Sequence, residues 1–290
     1  MKRLQVAVVG LGRLGRACAL ALLESGELAL AGMVVRRPPP HEALPGRLQR
    51  FPLVTHVRDL PPVDAALLCV PTDVVAEVAR ELLQARIPVV ECASLDGQAL
   101  AAHYARFDDM TRAYRATAIV GAGWDPGLLP TFRRAFEVLI PRGRDTLDRH
   151  PGVSLHRSAA VDHLPGIKDA LVGEYRGEGG ALQRYVYVEL HKGVDFERVR
   201  AAILADPLFA GETTQVFAVE NLEEVEGEAG QGVVLERLAV ASAGIHASLL
   251  LEARFDPTVF AAQVMLDAAR QLPALKHGAH RYALKAHVGD

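Results

Sequence analysis

Cysteine is scarce in this sequence, with three among 290 residues and none in a CxxC pair. That excludes a disulfide framework, and the apolar settings of Cys18, Cys69 and Cys92 mark small buried residues of a reducing compartment. A cysteine–histidine metal site is excluded as well. His277, His280 and His287 near the C-terminus have no zinc-like spacing and read as a solvated tail, so no metal is expected. An excess of one charge sign is also missing. The net charge is −3 and the sequence pI about 6.4, which gives no electrostatic case for nucleic acid or an anionic membrane. No apolar run is long enough to span a bilayer, and MKRLQ passes directly into VAVVG without a signal-like segment. A soluble cytoplasmic protein is expected. GxSxG and HExxH are absent too, so covalent and metal catalysis lack support, and hydride transfer needs neither.

What is present is a chain that is half hydrophobic and long enough for two domains. Its first third alternates strand and helix patterns. LQVAVVG, LALAGMVV, a short segment near Leu53, AALLCV, PVVEC and TAIVGAG read as strands; LGRACALALLES, TDVVAEVARELLQAR and LDGQALAAHYARFDDMTRAYRA read as helices. Such alternation implies parallel pairing, an α/β fold with a Rossmann-type doubly wound sheet over residues 1–122. After residue 130 the pattern changes. ALQRYVYVEL, TTQVFAVE and GQGVVLERLAV look like longer, half-exposed strands, with the helix DFERVRAAILADP between the first two. A second, α+β domain with a largely antiparallel sheet is expected over residues 123–257, with NLEEVEGEAG as a solvated hairpin loop. The helical PTVFAAQVMLDAARQL opens a return to the first domain over about residues 258–290.

Gly10-Leu11-Gly12-Arg13-Leu14-Gly15 fits GxGxxG between a predicted strand and helix. The first glycine permits a tight turn, the second lets a pyrophosphate approach the backbone, and the third lets helix and strand pack closely. The end of the second strand bears on the choice of dinucleotide. An acid there would hold a ribose 2′-hydroxyl, but this chain has Val35-Arg36-Arg37. Two guanidinium groups suit a 2′-phosphate, so NADP(H) is the expected cofactor. A third feature is GAGWDPGLLP, which holds the single tryptophan. Asp125 before Pro126 reads locally as a helix N-cap followed by a first-turn proline.

Taken in order, VAVVGLGRLGR, VVRR, LLCVPT, AGWDPG, PGVSLHRSAAVDHLPGIKDAL, RYVYVEL and GQGVVLERLAV resemble the meso-diaminopimelate dehydrogenase family. The resemblance implies an NADP-dependent amino acid dehydrogenase, usually dimeric. Its partners would be a small amino acid substrate, ammonia and a second copy of the chain, with no nucleic acid or membrane. In such enzymes Trp124 would wall the pocket, and Asp125 would hold the reacting amine or help move its proton. Gly152 and Ser154 would bind a substrate carboxylate, Arg184 the distal carboxylate, and His246 would fall in the distal pocket. Cofactor contacts are implied for Cys69, Val70, Pro71, Thr72, Ser94 and Gly123.

Departures from the family pattern accompany the resemblance. Where the family has a Tyr-Asp pair, this chain has Cys92-Ala93-Ser94-Leu95-Asp96. Either Ser94 replaces the family acid or Asp96 is its displaced equivalent. His150 and His156 occupy glycine positions, Arg157 a histidine position, and Glu174 the place of a threonine near the distal carboxylate. Glu174 either pairs with Arg184 or faces the ligand and selects a distal ammonium. Diaminopimelate is the leading substrate. A different amine or diamino acid, and a non-catalytic NADP-binding sensor, are the rivals.

Overall fold

The computed structural model describes residues 3–40, 44–150, 152–153, 155–176, 182–209, 213–222, 225, 231–240 and 247–285. The chain divides into two compact units, Met1–Phe132 with Thr258–Asp290, and Arg133–Pro257. The first unit begins β1 (Leu4–Val9), α1 (Arg13–Glu24), β2 (Leu28–Val34), β3 (Leu53–Val54), β4 (Ala65–Leu68), α2 (Val75–Gln84), β5 (Val89–Glu91), α3 (Gly97–Tyr114) and β6 (Thr117–Val120). Then follow α4 (Leu129–Leu139), β7 (Gly143–His150), β8 (Gly152–Val153), α5 (Leu155–Asp162), β9 (Ile167–Arg176) and β10 (Leu182–Leu190). The chain closes with α6 (Phe196–Ala205), β11 (Thr213–Ala218), β12 (Gln231–Ala239), β13 (Ser248–Phe255), α7 (Pro257–Gln271) and β14 (Gly278–Arg281).

Among the described residues of the first unit, seven strands form one sheet in the order β14-β6-β5-β4-β1-β2-β3, and each pairing is parallel. The run 3-2-1-4-5-6 within it is the doubly wound dinucleotide-binding order. Both faces are covered, which is why the strands are apolar throughout rather than alternating. Val6 and Val8 pack with Cys18 and Leu22 of α1 and Met265 and Ala269 of α7. Ala7 and Val9 pack with Ala76 and Leu83 of α2 and Phe107 and Met110 of α3.

The C-terminal stretch corrects an expectation. Residues 278–281, expected as part of a solvated tail, are the edge strand β14 on β6. Tyr282 is buried beyond it; its N–H donates to Val120 O at 3.1 Å and its hydroxyl to Asp267 at 2.8 Å. Burial first, then that hydrogen bond, pushes the Tyr282 phenol up. Four residues give too little periodicity to mark a strand, and the partner β6 lies far back in the chain. His280 sits in β14 with Nε2 2.9 Å from Lys276 O, His277 is exposed, and His287 lies outside the described residues.

The second unit holds, among the described residues, a four-stranded sheet β11-β10-β9-β8 and a three-stranded sheet β13-β12-β7. All pairings are antiparallel except β10 with β11, which α6 joins as a crossover. Ala170, Val172, Val186 and Val188 bury one face of the larger sheet against Val161 of α5 and Val199 and Ile203 of α6. β11 and β12, expected to be joined as a hairpin through NLEEVEGEAG, belong to different sheets. Within that connector Leu222 is buried against Leu171, with Val225 packed beside it. Among the described residues no helix is long and apolar enough to cross a membrane.

Candidate active site

The C-terminal ends of β1, β2, β4, β5 and β6 are where a doubly wound sheet binds its ligand. At β1 the backbone explains the glycine spacing. Gly10 has φ +91°, and a Cβ on it would sit 2.3 Å from Cys69 O. A Cβ on Gly15 would lie 2.0 Å from Gly10 O, so helix and strand meet there without room for a side chain. Among the described residues nothing stands within 4 Å of a Cβ built on Gly12, the N-cap of α1. That opening, facing a helix start with no acidic residue in its first turn, fits a pyrophosphate. Leu11, Arg13 and Leu14 complete the loop. Val34 pairs with Val9, so Val35, Arg36 and Arg37 leave β2 beside it, with both arginines exposed. Cys69, Val70, Pro71 and Thr72 leave β4 on the other side, and Cys69 N–H donates to Val9 O at 2.7 Å.

The cysteines are free and cluster under this loop. Cys69 Sγ donates to Cys18 Sγ at 3.7 Å, and this bond, with burial, pushes the Cys69 thiol well up. Burial, then Cys69 and Glu91, does the same for Cys92. These thiols are packing groups, poor nucleophiles in this setting.

The GAGWDPG segment leaves β6 in a turn its glycines make possible. Gly121 has φ +73°, and a Cβ on Gly127 would lie 2.5 Å from Gly121 O. The Asp125–Pro126 peptide is cis. Asp125 keeps extended angles, φ −129° and ψ 119°, directly before Pro126, and Gly123 O accepts Leu128 N–H at 3.0 Å. Extended angles directly before a proline are those an N-cap residue adopts, so the backbone agrees with the N-cap reading of Asp125, and Asp125 and Trp124 are half-buried at the strand's end. Trp124 is held edge-on by Phe260 at 5.3 Å between ring centres, with Phe132 at 6.0 Å. Ser94 and Asp96 are exposed in the loop after β5, and Asp96 takes the N-cap position of α3.

The second unit brings three expected substrate residues into one row. Gly152 of β8 pairs with Glu174 of β9, and Glu174 with Arg184 of β10. Arg184 is 3% exposed and donates to Leu208 O at 3.2 Å, where Arg157 also donates at 3.5 Å. Arg157, which sequence reasoning met only as a departure, thus shares an acceptor with Arg184. Ser154 and His246 lie outside the described residues.

Residues 4–91 match the oxidoreductase family with an NAD-binding Rossmann fold. A meso-diaminopimelate D-dehydrogenase of Bacteroides fragilis is 32% identical over 271 residues, 93% of this chain and 89% of that relative. The chain belongs to the meso-diaminopimelate dehydrogenase family. Two solved structures agree in fold across 97% of this chain and 93% of theirs, each at 21% identity. They are an engineered D-amino acid dehydrogenase bound to NADP+ (TM-score 0.77) and the Corynebacterium glutamicum DAP dehydrogenase in complex with DAP (TM-score 0.72).

For this member of the meso-diaminopimelate dehydrogenase family, the glycine geometry separates fold from binding. Gly15→Ala should destabilise the protein by about 1–3 kcal/mol, because backbone stands where the methyl must go. Gly12→Ala should cost about 1 kcal/mol or less, since its methyl enters open space, yet it should weaken the cofactor. Thermal unfolding beside NADPH titration checks both. One residue escaped the sequence reading, Glu91, the acid that ends the apolar strand β5. Its signal was a charged residue closing a fully buried strand, which is rare unless the charge is paired.

Proposed function

We propose that the protein catalyses the reversible, NADP-dependent oxidative deamination of meso-2,6-diaminopimelate at its D-centre, giving L-2-amino-6-oxopimelate and ammonia. The observation that carries this reading is the GWDPG turn, which presents Asp125 beside an anchored Trp124 on β6, with β5 and β4 between it and the glycine cradle at β1. NADP+ supplies the hydride acceptor when bound. Gly10 to Gly15 hold the pyrophosphate and Arg36 and Arg37 the 2′-phosphate, with Cys69 to Thr72, Ser94 and Gly123 completing that site. Hydride leaves carbon only when the neighbouring nitrogen is neutral, so Asp125 holds the amine and takes its proton. Asp96 or Ser94 stands in for the family's second acid. Gly152 and Ser154 bind one carboxylate, and Arg184 and His246 the distal end; arginine suits this because its planar fork reaches both oxygens.

In this reading the first unit is the dinucleotide-binding domain and the second the substrate-binding and dimerisation domain. The protein works as a cytoplasmic homodimer. Support for self-association comes from Leu238 (44% exposed) and Leu250 (64% exposed), apolar residues on the paired strands β12 and β13. The test is NADPH oxidation with ammonia and a panel of keto acids. L-2-amino-6-oxopimelate should be the best substrate; binding of NADPH with no turnover on any of them contradicts the proposal.

The register of Glu174 opposite Arg184 favours a second reading, an amino acid whose distal end is not a carboxylate. Two like charges about 4 Å apart repel by roughly 4 kcal/mol at an effective dielectric of 20. Glu174→Thr should therefore raise kcat/KM for meso-diaminopimelate about ten-fold or more, with screening setting the lower bound. No change or a loss in that assay removes Glu174 from control of the distal pocket.

A further inference from the structure

Glu91 is fully buried at the end of β5. Its Oε1 accepts Gly121 N–H and its Oε2 accepts Ala93 N–H, each at 2.7 Å. Its main-chain carbonyl accepts Ala122 N–H, also at 2.7 Å. His103 of α3 brings Nε2 to 3.4 Å from Oε1, is nearly buried, and packs on Phe107 at 4.8 Å between ring centres. One carboxyl group thus ties down two chain exits. Ala93 opens the loop that carries Ser94 and Asp96, and Gly121 opens the turn that carries Trp124 and Asp125. Withdrawing a carboxylate from water is expensive, and ending a strand does not require it. What this side chain supplies is a fixed spacing between two neighbouring loops, which an apolar residue cannot provide.

We infer that Glu91 is a positioning residue: through the Gly121 and Ala93 amides it sets the placement of Trp124 and Asp125 relative to the loop of Ser94 and Asp96. His103 backs the carboxyl group from the α3 side. The inference rests on the dehydrogenase reading above for its effect on rate, but not for its effect on the turn. Glu91 makes no described hydrogen bond to the Gly10–Gly15 loop or to Arg36 and Arg37, which hold the phosphates in that reading. A shift of the two segments therefore reaches the cofactor only through Ser94 and Gly123 and should affect kcat more than NADPH affinity.

The test is Glu91→Gln, which keeps the shape but turns an NH2 group toward one of the two amides. A misplacement of about 1 Å can cost about 100-fold in rate, so kcat should fall roughly 10- to 100-fold. The NADPH dissociation constant should rise by no more than about threefold, because the phosphate contacts at Gly10–Gly15, Arg36 and Arg37 share no partner with Glu91. Two readouts do not depend on turnover. Emission from Trp124, the chain's single tryptophan, should shift, and amide exchange at Gly121 or Ala93 should accelerate. If Glu91→Gln does not fold, His103→Gln carries the same readouts with smaller changes in the same directions. Wild-type kcat with unchanged Trp124 emission in a folded variant overturns the inference. So does an equal loss of kcat and NADPH affinity, which marks a purely structural role. If the wild-type protein oxidises no amino acid, the dehydrogenase reading fails, and the emission and exchange data still decide whether Glu91 sets the turn.

Discussion

Asp125→Asn is expected to remove most turnover, about 100-fold or more in kcat, while NADPH affinity stays within a few-fold. General acid–base groups contribute roughly 10²–10⁴ in rate, and a carboxamide cannot take a proton from the amine. The substitution is nearly isosteric, and the local backbone gives it little to disturb. Asp125 keeps extended angles directly before Pro126, and asparagine caps a helix start as well as aspartate does. Gly121 and Gly127, which set the course of the turn, are untouched. A fall in kcat with NADPH binding and the unfolding midpoint preserved assigns the carboxylate to the reaction. Wild-type rates in a folded Asp125→Asn protein assign it to structure.

The second large effect lies at the other end of the cofactor. Replacing Arg36 and Arg37 together by alanine should weaken NADPH about 100-fold or more and leave NADH almost unchanged. Each charge-assisted hydrogen bond lost is worth about 1.5–3 kcal/mol, and every 1.4 kcal/mol is tenfold in affinity. Both arginines are exposed where β2 ends beside β1, so their loss removes no core contact. Only the 2′-phosphate distinguishes the two dinucleotides there. Equal losses for NADPH and NADH would sink the assignment and place the arginines on the surface with no ligand role.

Much of the first unit was legible because its physics is local. Strands such as Ala65–Leu68, buried on both faces, must be apolar without interruption, and Gly10 and Gly15 are glycine because backbone atoms occupy their Cβ positions. Legibility ends where partners are distant in sequence or strands are half exposed. β7 reads GRDTLDRH, a charged run that becomes a strand only through its pairing with β12. β14 is a strand only because β6 offers it an edge. The candidate site shows the same division. The motifs named Gly12, Arg36, Trp124 and Asp125 directly, and Asp125 has the extended backbone before Pro126 that the capping pattern implies. That Glu174 stands opposite Arg184, and that Arg157 reaches the same carbonyl as Arg184, are facts of register and packing that no short motif encodes.

Reduction of NADP+ by purified protein, with meso-diaminopimelate compared against the LL isomer that lacks a D-centre, tests the central claim most directly. The account predicts steady NADPH formation with the meso form, release of ammonia in equal amount, and none with the LL form. Equal rates with both isomers, or no reduction by the meso form while another amine is oxidised, would contradict it.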